Sequence, residues 1–129
     1  MVLDASAAVE FVLNTAAGKR LAARLADEFA VVHVPHLIDL EIAQVLRRYV
    51  RDGTLTEPMA MTALARWREL DAERYPHEPF LERIWHLRDN LTAYDAVYVA
   101  LAEALSMVLV TGDRKLAGAP GLHAVIELA

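Results

Sequence analysis

The stretch "NLTAYDAVYVALAEALSMVLVTGD", residues 90–113, contains the clearest helix and the clearest strand in this chain. Its first part, through residue 106, has the most regular helical pattern and includes the longest uninterrupted apolar run, Ala96–Ala102. Its second part is a short apolar segment that stops at Gly112 and Asp113, which predicts a buried strand followed by a turn. A helix that leads directly into a buried strand is typical of α/β proteins.

The same alternation of strands and helices extends over the rest of the chain. "MVL" at residues 1–3 and "AVVHV" at residues 30–34 predict strands, and "LHAVIEL" near the end predicts an edge strand. Helical spacing of apolar residues predicts helices over residues 6–14, 16–29, 36–52, 55–74 and 80–88. "YPHEP", residues 75–79, interrupts this pattern with two prolines and leaves room for a short extended piece. We therefore predict one domain, residues 1–129, with the fold of a three-layer α/β/α sandwich around a mostly parallel sheet.

The composition agrees with a single domain that needs no covalent support. A chain of 129 residues can bury a full core without disulfides or a structural metal. It contains no cysteine, which excludes a disulfide scaffold, a thiolate metal site and a thiol nucleophile. The hydrophobic content of 56% leaves apolar surface for a partner, so an oligomer or a companion protein is plausible.

Two features bear on location and partners. The apolar N-terminus lacks a basic region and carries Asp4 and Glu10, so it is interpreted as a structural element and not as a signal peptide. The run Ala96–Ala102 is far shorter than the roughly 20 residues of a membrane span. We expect a soluble, cytoplasmic protein. Its net charge of -5 argues against broad attraction to nucleic acid, so any such binding must use a local basic patch.

Two acids follow predicted strands. Asp4 ends the first strand, and Asp113 ends the "MVLVTGD" strand. In an open parallel sheet, the groups at the carboxyl ends of the strands gather in the crevice where the strand order reverses. We therefore expect these two carboxylates to lie close together.

Two further acids lie on predicted helices, at the border of the buried face. Glu41 has Leu37 and Val45 four residues to either side, and Asp95 has Leu91 and Val99 in the same positions. Asp39 is rotated by about 200° from Glu41 on a helix, so one of the pair is expected to face solvent. We favour Glu41 as the inward acid and keep Asp39 as an alternative.

Four converging acids would repel one another and resist ionisation. A hard divalent cation removes that conflict, because Mg²⁺ or Mn²⁺ prefers oxygen ligands and is usually held directly by one or two carboxylates. The remaining acids can then order water. Such a site suits phosphodiester hydrolysis, in which the cation neutralises phosphate charge and lowers the pKa of an attacking water.

Four segments occur in an order that resembles a known family. They are "MVLDAS", "LIDLEIAQVL", "LTAYDAVYVALAE" and "LVTGDRKL", and together they extend over essentially the whole chain. The chain resembles the PIN-domain ribonucleases of the VapC toxin type. The resemblance implies an Mg²⁺- or Mn²⁺-dependent endoribonuclease that is the toxin of a type II toxin–antitoxin pair. It also implies a homodimer that is blocked by a small antitoxin.

The family's acidic positions correspond to Asp4, Glu41, Asp95 and Asp113, and its small hydroxyl position corresponds to Ser6. In the resulting hypothesis, Asp4 and Asp95 contact the metal directly. Glu41 and Asp113 order waters or a second metal, with Asp113 in an outer position on a loop.

Each acid also has a simpler interpretation. Thr92 and Asp95 fit a capping box, Asp4 fits an N-cap, and Asp113 fits a turn. For any one of these acids alone, the capping or turn role is favoured. The metal-site role is favoured only because all four acids occur together. Thr92 is expected to support Asp95, because a carboxylate can face a backbone N–H and a metal at once.

The basic residues form two local groups. Arg47, Arg48 and Arg51 end the Glu41 helix, and Arg114 with Lys115 follows Asp113. Solvated helix ends, with cations favoured near a C-terminus, are the simpler explanation of these groups, and contact with RNA phosphates beside the acids is the functional one. For Arg114 and Lys115 we weigh RNA phosphate contact equally with a solvated surface.

Other functional classes fit less well. The histidines lack a zinc-binding spacing, and "DASAA" lacks the elbow motif of serine hydrolases. A phosphoaspartate phosphatase would need a second aspartate after the first strand, and a receiver domain would need an adjacent acid pair. The alternative that remains is a catalytically inert PIN-like module that binds a protein partner. Trp67, Trp85, Tyr94 and Tyr98 are interpreted as core or interface residues.

Overall fold

The computed structural model describes residues 1–26 and 31–129. Within them, five strands form one sheet in the order β3-β2-β1-β4-β5, and every neighbouring pair is parallel. The strands are β1 (Val2–Leu3), β2 (Val32–Pro35), β3 (Ala72–Tyr75), β4 (Leu109–Thr111) and β5 (Ile126–Leu128). Because β1 lies between β2 and β4, the strand order reverses there, and a crevice opens at the carboxyl ends of β1 and β4.

Helices cover the sheet. They are α1 (Ala5–Val12), α2 (Ala16–Leu25), α3 (Ile38–Arg51), α4 (Glu57–Glu69), α5 (Leu81–His86), α6 (Ala93–Leu105) and α7 (Arg114–Ala117), with a 3₁₀ turn at Glu78–Phe80. The chain runs from β1 through β2 to β3 on one side of β1, and then from β3 back to β4 and β5 on the other side. Right-handed crossovers that run in these opposite directions place helices on both faces of the sheet. The prediction of an α/β/α sandwich with a parallel sheet is therefore confirmed. No helix of the described ranges combines the length and the hydrophobicity that crossing a bilayer requires.

The core is centred on α6 and the strands it contacts. Every residue from Ala96 to Ala102 is buried, and α6 packs against β1, β2 and β4. The apolar run seen in the sequence is thus a helix surrounded by protein on all sides. The adjacent strand residues Val2, Leu3 and Leu109 are fully buried.

One predicted helix is too long. The sequence pattern predicted a helix over residues 55–74, but α4 ends at Glu69 and β3 occupies residues that were assigned to it. Glu73 and Arg74 are exposed, so this edge strand carries no apolar alternation in its sequence. Its backbone pairs with β2 from Val32 to Pro35, and that pairing overrides the helix propensity of Glu and Arg. The predicted end of the second helix, 27–29, and the first residue of the predicted second strand, 30, lie outside the described residues.

Gly18 sets the close approach of α1 and α2. A Cβ atom at this position would lie 1.9 Å from the Glu10 carbonyl oxygen, which cannot move without moving α1. Gly18→Ala should therefore lower the free energy of unfolding by about 3 kcal/mol, although alanine favours helices. Urea denaturation of the variant measures this loss.

Gly118→Ala is the matched control. A Cβ atom there would lie 3.6 Å from the Arg114 carbonyl oxygen, which is an ordinary contact distance. We expect this variant to unfold close to the wild-type midpoint. Equal stability of both variants would contradict the proposed steric limit at Gly18.

Candidate active site

A cavity of about 650 Å³ lies at the carboxyl ends of β1 and β4, where the strand order reverses. All four acids singled out in the sequence line it: Asp4, Glu41, Asp95 and Asp113. Each comes from a different part of the chain, since they follow β1, lie in α3 and α6, and follow β4. The structure thus places all four acidic residues in the wall of one cavity.

Asp4 is the most buried of the four, with 6% of its surface exposed. It caps α1 by accepting the Ala7 backbone N–H at 2.8 Å. Its carboxylate also accepts hydrogen bonds from the hydroxyls of Ser6 (2.7 Å) and Thr111. Burial nevertheless raises the pKa of Asp4, and the nearby charge of Asp113 adds to that effect. The capping and site interpretations of Asp4 are therefore compatible.

Ser6 connects the loops after β1 and β4. Its Oγ donates to Asp4 and accepts the Gly112 backbone N–H at 2.7 Å. Thr111 Oγ1 adds a second connection, because it donates to Asp4 and accepts the Asp113 backbone N–H at 2.9 Å. These bonds fix the orientation of the Asp4 carboxylate.

Glu41 lies in the first turn of α3, and its Oε2 accepts a hydrogen bond from the Tyr98 hydroxyl. Burial raises the pKa of Glu41, and the charges of Asp95 and Asp4 raise it further. Burial and the bond to Glu41 also raise the pKa of Tyr98, so this hydroxyl stays a donor. Glu41 therefore carries its charge less readily than an exposed glutamate, both because it is partly buried and because Asp95 and Asp4 lie near it.

Asp95 forms the capping box that its sequence suggested. Thr92 Oγ1 accepts the Asp95 backbone N–H at 3.1 Å and donates to Asp95 Oδ2 at 2.9 Å. Within the described residues Oδ1 of Asp95 accepts no hydrogen bond, and the residue lines the cavity. Capping therefore leaves one carboxylate oxygen available.

Asp113 is exposed and begins a short helix that the sequence did not predict. Its Oδ1 accepts the Lys115 backbone N–H at 2.7 Å, which makes it the N-cap of α7. The segment after Asp113, which the sequence predicts to be a loop, is helical from Arg114 to Ala117. Asp113 remains at the cavity wall.

Arg114 and Lys115 are not among the residues that line the acidic cavity. Arg114 lines a separate cavity of about 190 Å³ together with Glu10 and Ala129. Their position next to Asp113 in the sequence therefore does not bring them to the acids, and RNA contact by these two residues receives no geometric support.

Asp39 is engaged elsewhere. It accepts hydrogen bonds from Trp67 Nε1 at 2.7 Å and from Arg74 Nε at 3.0 Å. Although burial opposes ionisation, these bonds from Arg74 and Trp67 lower the pKa of Asp39. Asp39 thus connects α3 to α4 and β3, and Glu41 is the acid that faces the cavity.

Sequence reasoning missed several residues that serve the site. Thr111 and Tyr98 bind the carboxylates of Asp4 and Glu41. Gln44 lines the cavity beside Glu41, as does Arg48, which the sequence had placed in a basic group. Tyr98 is indeed a core residue with 2% exposure, but its hydroxyl also serves the site. Its only signal in the sequence is its position three residues after Asp95 on the same helix face.

The donor set suits a hard divalent cation. Among the described residues, the lining contains carboxylate and hydroxyl oxygens but no histidine or cysteine. In the ranges 1–26 and 31–129, no group of three or more histidine, cysteine or acidic side chains is arranged so that it could hold a metal ion together. Mg²⁺ is usually held by one or two carboxylates and keeps several waters, so an open arrangement of acids is compatible with it.

Comparison of the sequence with known proteins points to one family. A family model described as "PIN domain" matches residues 1–122. Ribonuclease VapC9 of Mycobacterium tuberculosis is 48% identical over 116 residues, which are 90% of this chain and 87% of that protein. Ribonuclease VapC1 of the same organism is 43% identical over 128 residues, which are 98% and 96% of the two chains.

Solved structures have the same fold. PAE2754 from Pyrobaculum aerophilum matches with a TM-score of 0.72 at 24% identity, over 97% of this chain and 81% of that one. Mycobacterium tuberculosis VapC20, described as a sarcin-ricin loop cleaving toxin, matches with a TM-score of 0.64 at 16% identity, over 96% and 97%. At these identities the two structures bear on the fold alone.

Proposed function

The chain belongs to the PIN domain family, and from that premise we propose that it is an endoribonuclease, the toxin of a type II toxin–antitoxin pair. The observation that carries the proposal is the convergence of Asp4, Glu41, Asp95 and Asp113 on one cavity. The relatives that match over nearly the whole chain are named ribonucleases, which supports hydrolysis of RNA. All four acids are present, which favours an active enzyme over an inert binding module.

In this proposal Asp4 and Asp95 hold Mg²⁺ or Mn²⁺. A bound cation of this type neutralises charge on the phosphate and lowers the pKa of an attacking water. Ser6 and Thr111 keep the Asp4 carboxylate oriented, and Thr92 does the same for Asp95. The cavity wall therefore supplies fixed oxygens and needs little rearrangement during the reaction.

Glu41 is proposed to act on the water. Its Oε2 is held by Tyr98, so Oε1 is the atom that orients the water and accepts its proton. The water oxygen forms the new bond to phosphorus, and the bond from phosphorus to the leaving ribose oxygen breaks. The leaving oxygen takes a proton from solvent. Asp113, at the exposed rim, is proposed to order a further water.

The direct test is an RNA cleavage assay with purified protein. We expect cut RNA with Mg²⁺ or Mn²⁺ and intact RNA with a chelator. Glu41→Gln protein, purified in parallel, controls for a contaminating ribonuclease. Cleavage that persists in chelator would contradict the metal requirement, and intact RNA over a broad panel with either cation would contradict the enzyme.

We also propose the remaining features of the assembly. Residues 1–129 form one PIN domain, which acts on RNA in the cytoplasm as a homodimer and is blocked by a small antitoxin. Exposed apolar side chains support a protein partner near the site, because Leu40 and Tyr94 line the acidic cavity while being 72% and 63% exposed.

Added cation should stabilise the folded protein. At a Mn²⁺ concentration of 100 times Kd, the free energy of unfolding should rise by about 2.7 kcal/mol, which for a chain of this size is roughly 10 °C in Tm. Differential scanning fluorimetry measures the shift. Asp95→Asn should reduce it, whereas Asp71→Asn, which removes an exposed acid outside the cavity, should not.

The pH dependence follows from the raised pKa values of Asp4 and Glu41. The folded, metal-free protein binds these protons more tightly than the unfolded chain does. Its free energy of unfolding should therefore fall as pH rises from the ordinary carboxyl pKa through the raised values. Stabilisation by Mn²⁺ should increase over the same pH range. A Tm that does not change when Mn²⁺ is added at neutral pH would contradict the proposed metal site.

A further inference from the structure

Three arginines near the end of α3 outnumber the one acid, Asp52, in the wall of the cavity that they line. Arg47, Arg48 and Arg51, here called the arginine face, are all exposed. Among the described residues, none of their guanidinium groups forms an ion pair or donates a hydrogen bond. Several other arginines do pair with acids, namely Arg24, Arg74, Arg83 and Arg88. On a protein of net charge -5, this is a distinct local concentration of positive charge.

The arginine face adjoins the acidic cavity. It lines a second cavity of about 320 Å³, and Gln44 and Arg48 belong to the walls of both cavities. Glu41, Gln44 and Arg48 follow one another at spacings of three and four residues, so they lie along one side of α3. At 1.5 Å of rise per residue, Arg48 lies about 10 Å along the axis from Glu41, and Arg51 about 15 Å.

We propose that the arginine face binds the phosphate backbone of the RNA strand next to the scissile phosphate. The inference rests on the proposed function, because it takes the acidic cavity as the place of cleavage. A cluster of carboxylates repels the flanking phosphates of its own substrate, and cations beside it offset that repulsion. Guanidinium groups with free donors bind phosphate oxygens in a bidentate manner.

RNA explains the position of these arginines better than an acidic protein segment does. The two cavities share walls, so a strand whose phosphate lies among the acids continues directly onto the arginine face. The interaction of cations with a helix C-terminus explains only their presence near the end of α3. Arg68 has the same relation to the end of α4 and lines neither cavity, so it separates the two explanations.

The test uses a fluorescein-labelled single-stranded RNA, in chelator so that it stays intact. Anisotropy titrations over a series of salt concentrations compare wild type, Arg48→Gln and Arg51→Gln with the control Arg68→Gln, which has the same change of charge. Each arginine-face variant should raise Kd about five- to tenfold. It should also reduce the slope of log K against log salt by about 0.7, the value for one phosphate contact on a single strand. Arg68→Gln should change neither quantity.

Kinetics with Mn²⁺ give a second readout. Loss of backbone binding should raise KM and leave kcat nearly unchanged, since the contact is the same before and during the reaction. A lower kcat at constant KM would overturn the docking role, as would a Kd and salt slope for Arg48→Gln equal to those of Arg68→Gln. Arginine-dependent binding of poly-glutamate, with RNA binding unaffected, would overturn it in favour of an acidic protein partner.

The two proposals fail separately. Wild-type protein that binds RNA through the arginine face but cleaves no RNA with either cation would support the docking site and contradict the nuclease. Cleavage that is equally efficient in wild type and in Arg48→Gln, with unchanged KM, would support the nuclease and contradict the docking site.

Discussion

Replacing Asp4 by asparagine should abolish metal-dependent RNA cleavage, with a loss of at least about 100-fold, while the protein remains folded. Loss of an outer partner of a metal ligand already costs about 10- to 100-fold, and Asp4 is proposed to be a ligand itself. Initial rates with Mn²⁺ measure the activity, and circular dichroism with thermal denaturation measures the fold.

The variant should fold because asparagine satisfies the same local contacts. Asn is as good an N-cap as Asp, so its amide oxygen can still accept the Ala7 N–H. Its NH₂ group can donate to the hydroxyls of Ser6 and Thr111, which rotate to become acceptors. Burial already disfavours the charge of Asp4, so removing that charge should not lower the metal-free Tm.

Asp95→Asn provides the companion variant on another element. Asparagine keeps an oxygen and gains a donor for Thr92, so the start of α6 should remain intact. Cleavage should fall to a similar extent. Full activity in either variant would refute its assignment as a metal ligand. If both variants were unfolded, the test would be whether Mn²⁺ stabilises the wild-type protein.

The elements that could be predicted are those whose burial shows in the spacing of apolar residues along the sequence. The buried part of α6, Ala96–Ala102, is a continuous apolar run, and β4 follows it as a short buried segment. The sequences of these two elements therefore identify them without knowledge of their neighbours. The strand β3 could not be found in this way. Its two central residues, Glu73 and Arg74, are polar and exposed, and its pairing with β2 makes it a strand.

The candidate site shows the same division. Asp4, Glu41, Asp95 and Asp113 could be proposed because strand ends and helix faces place them in one region. The groups that orient them depend on contacts between distant parts of the chain. Tyr98 and Glu41 are 57 positions apart, and Thr111 and Asp4 are 107 apart. Nearness in sequence does not give a shared cavity either, because Arg114 lines a different cavity from its neighbour Asp113.

Glu41 and Asp39 offer the sharpest separation of catalysis from stability, because they lie two residues apart on one helix. Glu41→Gln should reduce the cleavage rate by about 100-fold or more, the typical contribution of a general base. It should leave the fold intact, since the glutamine oxygen can still accept the Tyr98 hydroxyl. Single-turnover rates with saturating Mn²⁺ measure the loss.

Asp39→Ala should have the opposite result. It leaves the Trp67 indole N–H without its acceptor and removes two of the hydrogen bonds that Arg74 donates, and Trp67 is only 3% exposed. A buried donor that loses its partner costs about 1–3 kcal/mol, so the midpoint of urea denaturation should fall. Cleavage should remain near the wild-type rate under conditions where the variant is folded. If Asp39→Ala instead lost cleavage at wild-type stability while Glu41→Gln stayed active, the acid that acts on the water would be Asp39.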